Sequence, residues 1–167
     1  MDAGAFEDFY ADGYARLVAA IGLVTGSREE AQDAVDEALA RAWGLARGNR
    51  APDELGAWVR VVALNVARGG LRRRQVDACA RSRIAATADA PSAAGPASAA
   101  VDVARALARL TRRQREVVVL RYFCDLPVDD IAGELDVTPG SVKTLLHRAR
   151  ATLSDVLADR EEVNRAR

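Results

Sequence analysis

The side chains best suited to bind another molecule lie near the carboxyl end of the chain, between residues 139 and 148. Hydroxyl, amino, imidazole and guanidinium groups recur there on the outer side of a helical pattern, and such groups can reach base edges and phosphates in the major groove of DNA. The outward set is Pro139, Gly140, Ser141, Lys143, Thr144, Leu145, His147 and Arg148. The set predicts an interface with duplex DNA, and the alternative is a helical hairpin whose basic face is merely solvated.

Two short helices and a tight turn must position these side chains, and residues 128–150 have the pattern of a helix-turn-helix. Thr138 is a suitable N-cap and Pro139 fits the first helical position, so the second helix has a defined start. Leu145 lies off the predicted buried face, so it is exposed or contacts a thymine methyl group or a partner protein. The buried face consists of Val142, Leu146, Ala149 and Leu153.

Arginines near the middle of the chain form a second candidate for nucleic-acid binding. A helix predicted over residues 53–74 ends in the basic cluster Arg72, Arg73 and Arg74, and Arg68 precedes it by one turn. These guanidinium groups could line a nucleic-acid groove, although a run of like charge is often only a solvated helix face.

A third group of arginines lies in the first turns of a helix predicted in the second half of the chain. Thr111 and Gln114 have the spacing of a capping box, which places Arg112, Arg113 and Arg115 in the first turns. Positive charge is unfavourable at the amino end of a helix, so these side chains need a compensating partner. A DNA phosphate would serve.

The composition gives little support for catalysis or for a metal site. The chain has one histidine and two cysteines, Cys79 and Cys124, which form no Cys-x-x-Cys pair. We therefore predict no enzymatic activity, no metal and no cofactor. Isolated cysteines without a visible targeting segment fit the reducing cytoplasm. The apolar stretches are too short and too polar for membrane insertion.

The composition also predicts the fold class. Half of the 167 residues are apolar but only 5% are aromatic, and alanine, leucine, valine and arginine abound, which favours helices over strands. Residues 85–100 are rich in alanine but interrupted by Pro91, Gly95 and Pro96, so a flexible linker is expected rather than a helix. We predict an all-α protein with two small helical domains, 5–80 and 103–160, joined by a linker at 81–102, with the helix-turn-helix in the second domain.

Charge is sorted along the chain although its formal total is zero. Residues 1–60 contain 6 basic and 11 acidic side chains, residues 61–88 contain 6 and 1, and residues 105–154 contain 9 and 6. An acidic front, a basic middle and a mildly basic helix-turn-helix indicate that different surfaces meet different partners.

An acidic amphipathic helix is predicted to begin near Arg28, after a stop at Gly26 and a cap at Ser27. Acids in its first turn stabilise the helix dipole, but Asp33, Asp36 and Glu37 lie beyond that turn and need another explanation. The expected inward residues are Ala31, Val35, Ala38, Leu39 and Ala42, and the expected outward acids are Glu29, Glu30, Asp33, Asp36 and Glu37.

Two further expectations concern local structure. Gly69 and Gly70 stand in the interior of a predicted helix, where each glycine costs about 1 kcal/mol relative to alanine, so we expect a bend there. In the helix that follows Thr111, we expect Tyr122 or Phe123 to be buried together with the apolar run before them, which is Val117, Val118 and Leu120.

Three stretches, in order, resemble the extracytoplasmic-function class of bacterial sigma factors: AQDAVDEALARAW, AWVRVVALNVARGGLRRR, and the segment from LTRRQREVV to KTLLHRAR. The resemblance implies two helical domains and a flexible linker. It implies that an acidic helix docks on core RNA polymerase, and that the helix after it holds the melted promoter element nearest the start site, the −10 element. The helix-turn-helix would then read the upstream −35 element of promoter DNA.

The resemblance also assigns residues. It implies a polymerase-docking set of Asp33, Asp36, Glu37, Arg41 and Trp43, and a −10 set of Asn65, Arg68, Arg72, Arg73 and Arg74. An anti-sigma or other regulatory protein is a further implied partner. The chain departs from the family's usual pattern at Leu145, where an arginine is common, and at Gly69, near which an acid is common.

Two other functions are compatible with parts of this pattern. A stand-alone transcriptional regulator would use the helix-turn-helix on an operator and the first domain for dimerisation, which leaves the acidic helix unexplained. An adaptor would bind protein through Leu145 and the acidic face and would show no salt-dependent DNA binding.

Overall fold

The computed structural model describes the backbone of residues 3–82 and 99–165, and the side chains of residues 4–74 and 103–156 apart from Ala5. Every regular element in those ranges is helical, so the predicted all-α fold class is confirmed. The chain divides into two units, residues 1–96 and 97–167. The linker predicted at 81–102 falls mostly on residues 83–98, outside the described residues; 81–82 and 99–102 are helical.

The described part of the first unit, residues 3–82, contains four α-helices and one π-helical turn. Helix α1 spans Ala3–Asp8, the π-helical turn spans Phe9–Gly13, and α2 spans Tyr14–Thr25. Helix α3 spans Arg28–Arg47 and packs against both α2 and α4, which spans Leu55–Ser82. The side chains buried between these helices include Val18, Ile21, Val24, Val35, Val59 and Leu64.

The turn between α2 and α3 follows the sequence prediction. Gly26 has a φ of 78°, in the left-handed region where glycine carries no penalty, and it ends α2. Ser27 then caps α3, because its Oγ accepts a hydrogen bond from the backbone N–H of Glu30 at 3.3 Å. Small residues on the inner face of α3 are buried, among them Ala31, Ala38 and Ala42. Close packing of α3 on its neighbours follows.

The π-helical turn places Phe9 against two glycines. A Cβ added at Gly13 would lie 2.9 Å from the Phe9 ring, and one added at Gly56 would lie 3.7 Å from it. Gly56 belongs to the first turn of α4. The Phe9 ring therefore lies beside the start of α4, and it leaves no room for a side chain at Gly13.

Helix α4 continues without interruption through Gly69 and Gly70, and the bend expected there stays a prediction. Tertiary contacts explain why the two glycines do not end the helix. Ala67 is buried against the rest of the unit before the glycine pair, and Arg74 forms an ion pair with Glu30 of α3 after it. With the helix held on both sides, the intrinsic penalty of about 1 kcal/mol per glycine is not enough to break it.

The second unit consists of α5 (Ala99–Ala108), α6 (Arg112–Tyr122), α7 (Val128–Leu135) and α8 (Pro139–Arg165). Thr111 and Gln114 form the predicted capping box at the start of α6. Helix α8 packs against α6 and α7. The core of the unit includes Leu107, Leu110, Val117, Leu120, Ile131, Leu135, Val142 and Leu146.

The end of α6 differs from the prediction. Val117, Val118 and Leu120 are buried as expected, but Tyr122 and Phe123 are 57% and 50% exposed. Helix α6 ends at Tyr122, so neither ring turns back onto the core. The Tyr122 Oη instead accepts a hydrogen bond from Arg150 Nε at 2.9 Å, and the Arg150 guanidinium lies 5.9 Å from the centre of the ring.

We predict that Ile131→Ala destabilises the second unit by about 2–5 kcal/mol, because this fully buried side chain would leave a cavity among α6, α7 and α8. Urea denaturation followed by circular dichroism should then show an early transition for that unit. The transition of the first unit should keep its midpoint. A single transition that moves as a whole would contradict the division into two separate cores.

Candidate functional site

The acidic face of α3 is created by what the helix buries. Ala31, Ala34, Val35, Ala38 and Ala42 point into the core, and this orientation turns the acids of the middle turns outward. The candidate docking acids Asp33, Asp36 and Glu37 are all exposed, as is Arg41. The Arg41 Nε donates to Glu37 Oε1 at 2.8 Å, one turn along the helix.

Asp36 is held by a tyrosine of the neighbouring helix. The Tyr14 Oη on α2 donates a hydrogen bond to Asp36 Oδ1 at 2.9 Å. Burial and this carboxylate together raise the pKa of Tyr14 to about 12, because both disfavour the phenolate. Tyr10 stacks on Tyr14 with 4.7 Å between ring centres. The tyrosine pair was missed by the sequence analysis, although its spacing of four residues places both rings on one helix face.

Trp43 extends the docking face toward the end of α3. Its side chain is 48% exposed, and its ring meets Phe6 of α1 edge to face, with 5.1 Å between centres. A large ring that is half exposed and fixed in orientation is a typical anchor for protein binding. The structure therefore brings all five candidate docking residues to α3 and shows their neighbours on α1 and α2.

The candidate −10 residues lie on α4. Asn65, Arg72, Arg73 and Arg74 are exposed, and Arg68 is half-buried. Asn65 Oδ1 accepts a hydrogen bond from Arg68 Nη1 at 3.1 Å. No acidic residue occurs between Leu55 and Arg74, so this part of α4 carries only positive side-chain charge.

A groove of about 650 Å³ between α3 and α4 unites residues that the sequence assigned to different partners. One wall carries acids of α3 and the other carries arginines of α4, and Arg74 forms its ion pair with Glu30 across the groove. The lining residues are Glu30, Asp33, Ala34, Glu37, Arg41, Val66, Ala67, Gly70, Arg73 and Arg74. Arg74 is thus directed toward α3 rather than held apart from it.

The helix-turn-helix forms as the sequence predicts. Asp136 ends α7 with a φ of 52°, and the Thr138 Oγ1 accepts a hydrogen bond from the Ser141 backbone N–H at 3.2 Å. Leu145 is half-buried, between the buried and outer faces of α8. The exposed outer residues are Pro139, Gly140, Ser141, Lys143, Thr144, His147 and Arg148.

The arginines at the start of α6 have partners within the second unit. Arg112 Nε and Arg113 Nη1 lie 3.3 and 3.1 Å from the carboxylate of Glu116, whose side chain is fully buried. The compensating charge that these arginines need near the helix start is therefore supplied internally. Both guanidinium groups stay partly exposed, so phosphate contacts by Arg112 and Arg113 remain a prediction.

Arg115 is turned toward the end of α5. Its Nε donates to the carbonyl oxygen of Leu107 at 2.9 Å, and its Nη2 donates to those of Ala108 and Leu110 at 3.3 Å. Burial lowers the pKa of Arg115, and the carbonyls of the helix end compensate for the lost hydration. These bonds give Arg115 a structural role, and a contact between Arg115 and DNA remains a prediction.

The described residues offer neither a cluster of metal ligands nor a membrane-spanning helix. Within residues 4–74 and 103–156, no group of three or more His, Cys, Asp or Glu side chains is arranged to hold a metal ion. None of the helices in the described part of the chain is both long and apolar enough to span a bilayer. The Cys124 thiol is half-buried, and Cys79 lies outside the described side chains.

The contact between Tyr14 and Asp36 can be tested by titration. We predict that Asp36→Asn lowers the pKa of Tyr14 from about 12 toward its usual value, because the carboxylate that disfavours the phenolate is removed. Between pH 10 and 12, folding keeps this phenol protonated in the parent, so the stabilisation it gives is lost as the pH rises through the folded pKa. Absorbance of tyrosinate measures the change, with Tyr14→Phe as the control; an unchanged titration in Asp36→Asn would contradict the contact.

Comparison with known proteins places both units in one family. The family model for sigma-70 region 2 matches residues 10–76, and that for sigma-70 region 4 matches residues 100–153. The RNA polymerase sigma-E factor of Streptomyces coelicolor is 31% identical over 137 residues, which cover 79% of this chain and 74% of the relative. The ECF RNA polymerase sigma factor SigM of Mycobacterium tuberculosis is 29% identical over 157 residues, covering 93% and 79% of the two chains.

A solved structure has the same fold. The sigma factor RpoE of Bartonella quintana, crystallised with the anti-sigma factor NepR, matches with a TM-score of 0.72 and 22% sequence identity, over 92% of this chain and 96% of that one. At this identity the match shows the fold, while the sequence relatives and family models show the family. The chain therefore belongs to the sigma-70 family as an extracytoplasmic-function sigma factor, a subunit that directs RNA polymerase in promoter recognition and transcription initiation.

Proposed function

We propose that the three charged helix faces divide the work of a sigma factor: α3 docks on core RNA polymerase, α4 holds the melted −10 strand, and α8 reads the −35 duplex. The observation that carries this proposal is the separation of charge between adjacent helices. The exposed middle of α3 presents acids, whereas α4 from Leu55 to Arg74 has no acid. A protein partner with basic residues and a nucleic acid can therefore bind the same small unit through different helices, on the two sides of the groove between α3 and α4.

The docking face combines an anchor with charge. Trp43 offers a half-exposed ring already fixed by Phe6, so little side-chain entropy is lost on binding. Asp33 and Glu37 are exposed on the α3 wall of the groove and would steer a basic surface of the polymerase toward this helix. Asp36 would contribute a carboxylate to the same docking face, held in position by its hydrogen bond from Tyr14.

The −10 face suits a single strand. Asn65 carries both a donor and an acceptor for a base edge, and Arg68, Arg72 and Arg73 can neutralise phosphates. Trp58 lies on the same helical face, two turns before Asn65, and is half-buried, so its ring could stack on a base. Arg74 belongs to this set by sequence, but its ion pair with Glu30 means that a phosphate must compete with a carboxylate.

The −35 face is the exposed side of α8. Lys143 and Arg148 can reach phosphates or guanine, and Ser141, Thr144 and His147 can reach base edges. The Thr144 Oγ1 already donates to the carbonyl oxygen of Gly140 at 3.0 Å. The lone pairs of this oxygen and the methyl group of Thr144 are then the parts left to meet DNA, beside half-buried Leu145.

A regulatory protein and a cellular location follow from the same function. The solved relative of similar fold is a complex of a sigma factor with an anti-sigma factor, and we propose that a protein of that kind holds this chain inactive. Since core polymerase and promoter DNA are its partners, the chain would act in the cytoplasm. It would catalyse nothing itself, because the nucleotidyl transfer is performed by the polymerase.

Removing charge from α3 should weaken binding to polymerase. We expect the double variant Asp33→Ala, Glu37→Ala to bind core RNA polymerase at least about tenfold more weakly, because steering and rim contacts are lost while the Tyr14–Asp36 bond is kept. Titration of a fluorescent chain with core polymerase measures this affinity. The matched control, Asp53→Ala with Glu54→Ala, removes two exposed acids from the same unit and should bind like the parent. Equal losses in the two variants would contradict a specific docking face.

Removing charge from α8 should change the salt dependence of promoter binding. For Arg148→Ala in the assembled holoenzyme, we expect the slope of log affinity against log salt to fall by about 0.9, as for the loss of one phosphate contact. Arg150→Ala is the matched control, because Arg150 lies on the same helix but is bonded to Tyr122. A slope that changes only in the control would show that the outer face of α8 does not meet DNA.

A further inference from the structure

Gly69 stands in the interior of α4 without a conformational reason for being glycine. The helix runs unbroken from Leu55 to Ser82. Among the described glycines, Gly26 has a positive φ and Gly69 does not. Glycine in a regular helix weakens it, since the unfolded chain gains freedom that alanine would not give. The chain therefore carries a local cost at Gly69 that its backbone geometry does not require.

The packing of the first unit gives no steric reason either. A Cβ added at Gly69 would meet no atom within 4 Å, and the same holds for Gly70. Gly13 shows the contrast, because a Cβ there would lie 2.9 Å from the ring of Phe9. Alanine at position 69 would thus fit the folded chain and strengthen the helix.

The position of Gly69 on α4 indicates which kind of molecule could occupy the space left by the missing side chain. Asn65 lies four residues before it and Arg72 three residues after it, so the three share one helix face. Gly70 is rotated by about 100° around the helix axis from Gly69 and lines the groove between α3 and α4. Of the two glycines, Gly69 is the one on the face that carries Asn65 and Arg72.

We propose that Gly69 is a position of close approach, where the sugar-phosphate backbone of the melted promoter strand lies directly on the backbone of α4. The inference rests on the proposed function, in which this face holds the −10 element. Charge selects the occupant: α4 has no acid from Leu55 to Arg74, and Arg68 and Arg72 flank the glycine. A methyl group at residue 69 would hold the strand away from both arginines and from Asn65.

The test compares Gly69→Ala with Gly70→Ala in the holoenzyme assembled with core polymerase. The probe is a fluorescein-labelled single-stranded DNA of mixed sequence, and thermal unfolding and core polymerase affinity are measured alongside. Both variants should raise the thermal midpoint by about 4 °C, as expected for glycine replaced in a helix. Gly69→Ala should bind the strand about tenfold more weakly because of the added overlap, and Gly70→Ala should bind it like the parent.

Arg72→Ala separates failure of this inference from failure of the proposed function. If Arg72→Ala weakens strand binding and Gly69→Ala does not, the close approach is wrong while the −10 face stands. If neither variant changes strand binding, both are wrong. Equal weakening in Gly69→Ala and Gly70→Ala would trace the effect to helix stiffness and overturn the inference. A lower thermal midpoint in Gly69→Ala, or a loss confined to core polymerase affinity, would overturn it as well.

Discussion

The packing of α3 between α2 and α4 depends on four alanines, Ala31, Ala34, Ala38 and Ala42, all of them buried. Because their side chains are short, the neighbouring helices can lie close, and the helix has one orientation that satisfies the core. That orientation turns the acids of the middle turns to the surface and places Glu30 within reach of Arg74. The acidic face, the groove and the direction of the basic helix all follow from this contact.

The second unit depends on a buried charge in a comparable way. Glu116 is fully buried in α6, and leaving its carboxylate unpaired would be strongly unfavourable. Arg112 and Arg113 supply the partners from the first turn of the same helix, and Arg115 ties that helix to the carbonyl groups at the end of α5. These contacts hold α6 as a support on which α7 and α8 present the helix-turn-helix.

Much of the fold could be predicted because its signals are local. The caps at Ser27, Thr111 and Thr138 each involve residues within three positions, and the periodicity of α8 identified its outer face. Contacts between distant residues could not be predicted: Tyr14 meets Asp36 across 22 positions, and Glu30 meets Arg74 across a longer interval still. Helix propensity alone also gave no indication that α4 would continue through Gly69 and Gly70, because propensity is weaker than packing on both sides.

Transcription by reconstituted enzyme would show whether this chain gives core RNA polymerase its promoter specificity. Core polymerase would be supplied with a library of duplex templates containing random upstream sequence, with and without the purified chain, and transcript starts would be sequenced. We expect starts that depend on the chain and lie at a fixed distance from a shared two-part motif. A folded chain that binds core polymerase but yields no such starts would contradict it.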